Sequence, residues 1–307
     1  MAKRIMRWTG DAADNDWATV GNWEADGAAA AGIPITGDDV YILQTSEGIT
    51  GTLDQSAVVL DLLVIEQSFT GEIGDADNYL EIGALEVRIG ENYDVSTPAG
   101  SARLKLHLYQ TDDAACDVTI YNTATSSTDS NLPPCRLLVE HVDTGADPDA
   151  TAVLSVLKGR VGLAVNDPNE TSDLVSIDTG YITGRDSDAR LDIGPGVTFT
   201  TLTKTGGNVT LRAAATTAIN RAGTLTTRGS GAITTLTCSG GTVNSASSGT
   251  VGTLNADGGL VDFTQSTEAR TVTTAYRRGE GRIKYDSSVM TFTNPIDSGG
   301  AIALSAA

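Results

Sequence analysis

The chain has 307 residues, of which 40% are hydrophobic, so it holds enough apolar sequence for a packed core and is not typical of a disordered protein. Residues 1–150 carry 26 acidic and 7 basic side chains, residues 151–307 carry 13 of each, and the net charge is −19. An acidic surface repels phosphate, and no apolar run has the length of a membrane span. The composition therefore argues against proteins that bind nucleic acid or cross a membrane.

The first 45 residues contain all three tryptophans of the chain, Trp8, Trp17 and Trp23. A stack of strands exposes backbone and apolar interior at its end, so we predict that residues 1–45 form an N-terminal arm and cap. The indole N–H groups are expected to bind nearby Asp and Asn side chains. The alternative is that some of the tryptophans are exposed anchors for another subunit.

The candidate partner-binding residues lie at the same end: Lys3, Arg4, Arg7 and Trp8. The three cations would attach the N-terminus to an acidic patch on a partner, with Trp8 packing behind them. The start MAKRIMRWTGD lacks the apolar segment of a secretory signal peptide, so we expect a protein that is not exported.

Residues 46–150 read as short strands, because apolar and polar residues alternate and helical periodicity is almost absent. Apolar pairs recur 14 to 21 residues apart in this region and just beyond it, at Leu85/Val87, Leu104/Leu106, Val118/Ile120, Leu137/Val139, Leu154/Val156 and Val175/Ile177. This spacing predicts acidic, irregular coils of a β-solenoid. An ordinary two-sheet sandwich is the alternative.

Residues 151–307 carry a more regular repeat of glycine, any residue and an aliphatic residue, as in Gly207-Asn208-Val209, Gly241-Thr242-Val243 and Gly259-Leu260-Val261. Leu202, Ile219, Leu236 and Leu254 follow one another at intervals of 17, 17 and 18 residues. Such periods are typical of stacked coils that bury one another's apolar faces, with glycine at tight corners. We predict that these four residues form one interior row.

The predicted fold class is therefore all-β: a single-stranded, right-handed parallel β-helix (β-solenoid) with an N-terminal cap that contains the tryptophans. The cap covers residues 1–45, the irregular coils 46–150 and the regular Gly/Thr-rich coils 151–307. Right-handed winding is predicted because the strict six-residue repeat of left-handed solenoids is absent.

No catalytic residue, cofactor site or metal site is predicted. Cys116, Cys135 and Cys238 lack zinc-site spacing and are expected to be buried thiols, although Cys116 and Cys135 could also meet on neighbouring strands. His107 and His141 are too few for a His-rich metal site, and each is expected to be packed or on the surface.

Two weaker hypotheses concern the acidic residues. Some β-helical enzymes that cleave sugars place carboxylates along an outer face, and the candidates for that role are Asp173, Asp178, Asp186, Asp188 and Asp192, which Arg185 and Arg190 would neutralise. Oxygen-rich loops suit a structural calcium ion, and these are residues 75–78, 147–149 and 186–188. A structural calcium ion would not define the function.

The N-terminal stretch has the pattern W-x-G, D-W, N-W and P-x-x-G-D-D-V-x-I, carried by Trp8/Gly10, Asp16/Trp17, Asn22/Trp23 and the run from Pro34 to Ile42. Over these roughly 40 residues the chain resembles the start of β-solenoid proteins found among bacteriophage virion components and secreted bacterial adhesins. Adhesins must be exported, so the missing signal segment favours the virion class.

The resemblance implies a non-enzymatic virion protein that is made in the host cytoplasm. The expected function is that of a head decoration (cement) protein, which sits on the outer capsid surface, binds the major capsid protein and stabilises the shell. A homotrimer is the expected assembly, because such proteins occupy symmetric sites. The alternatives are a tail fibre or tailspike segment and a β-helix that binds or cleaves carbohydrate.

Overall fold

The computed structural model describes residues 3–43, 45–75, 78–91, 103–110, 116–123, 133–141, 152–165, 175–184 and 189–297. Within these ranges the secondary structure consists of 25 β-strands and one three-residue 3₁₀ helix, Val20–Asn22. The predicted all-β class is confirmed. None of the helical structure in the described ranges is long and apolar enough to cross a lipid bilayer.

The chain forms two compact units, residues 1–176 (the front unit) and 177–307 (the back unit). The strands that begin in the front unit are β1 Ile5–Trp8, β2 Trp23–Ala25, β3 Ala28–Ala29, β4 Asp39–Ile42, β5 Asp54–Glu66, β6 Glu72–Ile73, β7 Leu80–Glu91, β8 Arg103–Gln110, β9 Cys116–Ile120, β10 Cys135–His141, β11 Ala152–Val156, β12 Gly159–Leu163 and β13 Val175–Ile182.

The back unit continues with β14 Ala189–Ile193, β15 Val197–Lys204, β16 Asn208–Leu211, β17 Ala214–Asn220, β18 Thr224–Thr227, β19 Ile233–Cys238, β20 Thr242–Ser245, β21 Val251–Ala256, β22 Leu260–Asp262, β23 Arg270–Arg277, β24 Arg282–Lys284 and β25 Met290–Asp297. The predicted division of the chain at residues 45 and 150 stays a prediction.

Two series of parallel pairs run through the front unit. In one series β4, β5, β7, β9 and β11 pair successively, and in the other β6, β8, β10 and β12 do so. Strand β1 joins the first series by lying parallel to β4, and it also pairs antiparallel with β2, which pairs with β3. Parallel neighbours need a crossover between them, so these alternating series indicate a chain that winds in coils.

The back unit repeats this pattern with greater regularity. Strands β15, β17, β19, β21, β23 and β25 form one parallel series, and β14, β16, β18, β20, β22 and β24 form the other. From β14 to β23, each strand pairs with the strand two places later in the chain. The predicted parallel all-β architecture is confirmed, and the pairing is consistent with a β-solenoid.

An interior row of apolar residues crosses the back unit, and the prediction for it is wrong at one position. Leu202 pairs with Ala218, which pairs with Leu236 and through it with Leu254, and all four are fully buried. Ile219 instead pairs with Thr203 and Thr237 and is only half-buried. Ile219 directly follows Ala218 on β17, and adjacent residues of a strand point to opposite faces, so the side chain of Ile219 turns away from the interior.

The corners between strands explain the glycines of the repeat. Gly241 has a φ of 66°, in the left-handed region that side chains avoid, and a Cβ atom added there would lie 2.3 Å from the carbonyl oxygen of Gly223. Both observations require glycine, because backbone of the preceding coil occupies the space of a side chain. The prediction that glycine marks tight corners is confirmed at this position.

Candidate functional site

Two of the predicted partner-binding cations are held by carboxylates of the chain itself. Arg4 donates from Nε and Nη2 to the two oxygens of Asp38 at 3.1 and 2.6 Å, and the Asp38 side chain is only 3% exposed. The Lys3 ammonium lies 2.8 Å from Asp39 and 3.1 Å from Asp61. Hydrogen bonds to these carboxylates raise the pKa of Arg4 and of Lys3. We call this arrangement the N-terminal clasp, because it ties the chain before β1 to β4 and β5.

The other two predicted contact residues alternate along β1. Arg7 points outward and is exposed, and no ion pair of this side chain exists within the described residues. Trp8 is only 2% exposed, and its indole Nε1 donates to the carbonyl of Glu47 at 3.0 Å. Of the four candidates, Arg7 is therefore the one that offers an exposed and unpaired charge.

The three tryptophans form one buried cluster. Trp23 lies between the others, with ring centroids 5.1 Å from Trp8 and 4.7 Å from Trp17, both in edge-to-face geometry. Trp17 is fully buried, and Trp23 is 2% exposed. Because all three are buried, none of them is the exposed anchor of the alternative hypothesis.

The prediction for the indole N–H groups is wrong. Trp23 Nε1 donates to the backbone carbonyl of Trp17 at 2.8 Å, and Trp8 also uses a carbonyl, whereas Trp17 Nε1 has no hydrogen-bond partner within the described residues. The acidic and amide side chains of this region instead form hydrogen bonds within the loop before the 3₁₀ helix and with the helix itself. Asp14 accepts hydrogen bonds from Thr19 and Asn22, which lowers the pKa of Asp14.

The remaining motif residues fix the ends of β1 and β4. Gly10 has a φ of 69°, and a Cβ atom added there would lie 2.3 Å from the Cβ of Glu47. Asp38, besides binding Arg4, accepts a hydrogen bond from the backbone N–H of Ile35 at 2.8 Å. Val40 is fully buried, as is Ile42. The motif that the sequence analysis singled out is thus one continuous structural unit.

An open groove of about 660 Å³ lies beside the N-terminal clasp. Ile35, Ala57 and Val58 supply the apolar part of its lining. Its charged lining residues are Lys3, Asp38 and Asp61, which are paired within the clasp. The groove therefore combines apolar side chains with the ion pairs of the clasp, in which two cations meet three carboxylates.

A network on β7, β8 and β10 was not found by the sequence analysis. His107 Nε2 lies 2.9 Å from Glu140 Oε2, and His107 Nδ1 lies 3.3 Å from the hydroxyl of Tyr109, which donates to Glu81 at 3.2 Å. The two rings stack with centroids 4.3 Å apart. Burial and the Glu81 carboxylate raise the pKa of Tyr109, so Tyr109 acts as a hydroxyl donor. His107 and Tyr109 are two residues apart in the segment LKLHLY, which places them on the same face of a strand. This spacing is the feature of the sequence from which their proximity could have been predicted.

A column of polar side chains inside the back unit was also missed. Lys204, Asn220 and Cys238 pair in register on β15, β17 and β19, and all three are fully buried. Lys204 Nζ donates to the carbonyl of Ala222, and Asn220 Nδ2 donates to the carbonyl of Gly240 at 2.8 Å. These donors satisfy carbonyl groups that the corners turn inward. Burial lowers the pKa of Lys204 to about 8.

The predicted carboxylate and metal candidates fall in different places. Asp173, Asp186 and Asp188, with Arg185, lie outside the described residues, as do positions 147–149. Asp178 lies on β13 with an undescribed side chain, and Asp192 lies half-buried on β14. In the described part of the chain, no group of three or more His, Cys, Asp or Glu side chains is arranged to hold a metal ion. His141 ends β10, and its side chain is not described.

The three cysteines are free and fully buried, as predicted. Cys116 pairs with Ala152 and Cys135 with Leu104, so the two are not opposite each other. Burial raises the pKa of the Cys116 and Cys135 thiols to about 12, and it also raises the pKa of Cys238. The interior therefore keeps these thiols protonated and inaccessible.

We expect a thiol-specific reagent to modify none of the three cysteines in the native protein and all of them in denaturant. The reaction needs an accessible thiolate, and burial removes both conditions. Counting labelled thiols by mass spectrometry in buffer and in urea checks the expectation. Native labelling as fast as in urea at any one cysteine would contradict the burial at that position.

Comparison with known proteins finds no matching family, no matching curated protein and no matching solved structure. The functional argument therefore depends on the residues and contacts of this chain and on the resemblance of its N-terminal motif.

Proposed function

We propose that this protein is a bacteriophage head decoration protein, which binds the outer surface of the capsid shell and stabilises it without catalytic activity. The observation that carries the proposal is the unity of the N-terminal motif. The residues by which the sequence resembles β-solenoid virion proteins build one unit around β1 and β4, with Trp8, Trp17 and Trp23 at its centre. A motif that forms a single packed unit supports the resemblance better than scattered matches would.

The proposed fold is a single-stranded, right-handed parallel β-helix that the tryptophan cluster caps. Strand β1 precedes all other strands and lies parallel to β4, and its Trp8 side chain is buried against Trp23. Three large aromatic side chains at the start of the first coils would cover the apolar interior that an open end exposes. Right-handed winding remains the expectation from the absence of a six-residue repeat.

The proposed partner is the major capsid protein, met in the host cytoplasm where both proteins are made, and the proposed assembly is a closed homotrimer. Lys3 and Arg4 are engaged in the N-terminal clasp and Trp8 is buried in the tryptophan cluster, so Arg7 is the member of the predicted set that we place in direct contact with an acidic patch of the shell. The acidic charge of residues 1–150 favours an exposed position for most of this region, because like charges repel at close range.

The proposal is tested by adding purified protein to shells that lack it. We expect saturable binding at sites that repeat with the symmetry of the shell, and a shell that withstands higher temperature or lower salt once decorated. Electron microscopy of the particles gives the copy number and the position. A few copies at the tail would instead identify a tail fibre, and the absence of any binding would refute the decoration function.

We expect Arg7→Glu to weaken shell binding by at least about tenfold, because charge reversal opposes an acidic partner surface. The matched control is Arg221→Glu, which reverses the charge of an exposed arginine in the back unit, away from β1. The point variant is preferable to deletion of residues 1–7, since deletion would remove Ile5 and Met6 from β1 as well as the clasp. Equal shell affinity of both variants, measured by sedimentation with shells, would remove Arg7 from the contact.

A second candidate function, carbohydrate binding, has one observation in its favour. Tyr109 is half-buried and stacks on the buried ring of His107 beside the carboxylates of Glu81 and Glu140, and sugars bind to combinations of an aromatic ring and acceptors. The test measures binding of host-surface polysaccharide and of shells by the wild type and by Tyr109→Ala. If only the wild type binds polysaccharide while both proteins bind shells normally, carbohydrate binding is a function in addition to decoration. Release of new sugar ends would indicate cleavage.

A further inference from the structure

One face of the back unit carries two columns of uncharged side chains that point away from the interior. The first column, on β15 to β25, contains Thr201, Thr217, Thr235, Thr253, Thr274 and Asn294. The second contains Thr203, Ile219, Thr237, Asn255, Tyr276 and Ile296. We call these two columns, with Tyr181, the uncharged face.

Tyr181 extends the second column by one strand. The backbone N–H of Thr205 donates to the carbonyl of Ile182, which is the bond that Arg221 makes to Lys204 one coil later. Because Lys204 pairs with Asn220, the same geometry places Ile182 beside Lys204 and therefore Tyr181 beside Thr203. The column thus begins with Tyr181 on β13 and ends with Ile296 on β25.

The second column collects exposed apolar surface. Tyr181 is 44% exposed and Ile296 is 45% exposed, and these two are the exposed large hydrophobic side chains of the described back unit. Ile219 and Tyr276 lie half-exposed in the same column. Single surface hydrophobics need no explanation, but their collection in one column is typical of a contact surface.

Charge decides which partner fits this face. The chain carries a net charge of −19, and the outward positions of the opposite series include Arg190, Asp192 and Lys284. None of the thirteen positions of the uncharged face is charged. Copies of an acidic chain repel one another wherever acidic surfaces meet, so a surface free of charge is where close approach costs least. The columns of two copies also share the same strand spacing, which allows side chains to interdigitate.

We infer that the uncharged face is the surface through which copies of this chain associate. The inference depends on the proposed self-association and names its surface. In a closed trimer the same face of each copy would turn toward the common axis, which brings threonine and apolar side chains together. The Arg278 guanidinium, which lies 4.6 Å from the centroid of the Tyr276 ring, borders this face and is paired with Asp257.

The test compares three proteins by sedimentation equilibrium over a wide range of concentrations: the wild type, Thr237→Lys and Thr226→Lys. Thr237 lies in the middle of the uncharged face, whereas Thr226 lies on β18 in the opposite series and is equally half-exposed. We expect the wild type and Thr226→Lys to associate alike, and Thr237→Lys to dissociate at a concentration at least about tenfold higher, because it places like charges opposite each other. Thermal unfolding of all three confirms that the folded state is intact.

Two outcomes overturn the inference. One is a wild-type protein that stays monomeric in solution and on the shell, and the other is equal behaviour of the two lysine variants. A monomeric wild type whose shell binding is lost only in Thr237→Lys would assign the face to the shell instead. Normal association of a protein that binds no shell would refute the decoration function and leave the inference standing.

Discussion

Replacing Leu236 with Asp is expected to destabilise the back unit by about 4 kcal/mol or more, which is a large part of the stability of a typical domain. Leu236 is fully buried between Ala218 and Leu254 in the interior row. An aspartate there would have to ionise without a partner or take up a proton, and the coils on both sides would lose apolar contacts. Urea denaturation followed by circular dichroism measures the loss.

The matched control is Thr234→Asp on the same strand, where the side chain is exposed. We expect this variant to lie within about 0.5 kcal/mol of the wild type, because it adds a solvated charge at the surface. If both variants unfold at the wild-type urea concentration, Leu236 is not inside the coils and the register of the back unit is wrong.

The interior of the back unit was predictable from the sequence wherever a large aliphatic residue occupies it. Leu202, Leu236 and Leu254 were placed correctly because glycine corners keep the coil length nearly constant. Ala218 was not, since a small residue gives no hydrophobic signal and the adjacent Ile219 does. Strand pairing decides such cases, because a shift of one residue turns the apolar side chain outward.

The front unit was less predictable because its ladders are irregular. The register between β5 and β7 shifts between Gln55 and Val59, where three residues of β5 have no partner on β7. Leu85, a member of one of the recurring apolar pairs, is 38% exposed, while the neighbouring Ala84 is buried. A bulge changes which side chains face inward, and neither composition nor spacing reveals it in advance.

The sequence predicts the burial of the three tryptophans but not their hydrogen-bond partners. Burial of Trp8, Trp17 and Trp23 follows from their size and their position at the start of a strand-rich chain. Their hydrogen bonds to the carbonyls of Glu47 and Trp17 do not, because long-range backbone partners depend on the path of the chain. The same limit applies to the clasp, since only the fold brings Arg4 to Asp38.

The polar column was missed because Lys204 looks like a surface residue in the sequence. Lysine is almost never fully buried without a partner, so a lysine at the end of a strand is normally read as solvated. In this chain the inward carbonyl of Ala222 supplies the partner, and that carbonyl depends on the shape of a glycine corner. The charged Lys204 side chain of the polar column therefore links the glycine corner to the interior of the back unit by a hydrogen bond.

The pH dependence of stability should expose this buried charge. The pKa of Lys204 falls from 10.5 to about 8 on folding. This fall means that the charged Lys204 destabilises the folded state by about 3 kcal/mol at neutral pH. Between pH 8 and 10.5 the unfolded chain holds this proton and the folded chain does not, so the Lys204 contribution to stability rises with pH. Below pH 8 Lys204 is charged in both states, so the full free-energy cost of burying its charge lowers the stability of the folded chain.

Lys204→Met removes this cost and also removes the donor to the Ala222 carbonyl, which costs about 1–3 kcal/mol. We therefore expect the variant to be as stable as the wild type, or up to about 2 kcal/mol more stable, at pH 7. From pH 7 to pH 10 the wild type should gain most of about 3 kcal/mol relative to the variant. Urea denaturation of both proteins at several pH values gives the difference, in which the alkaline titration of Cys116 and Cys135 cancels.

Leu202→Met is the control on the same strand, because it changes interior packing without changing a titrating group. Its difference in unfolding free energy from the wild type should stay constant over the whole pH range. A constant difference for Lys204→Met as well would show that the ammonium is solvated in the native protein. The interior column of Lys204, Asn220 and Cys238 would then have to be abandoned, together with its role in holding the glycine corners.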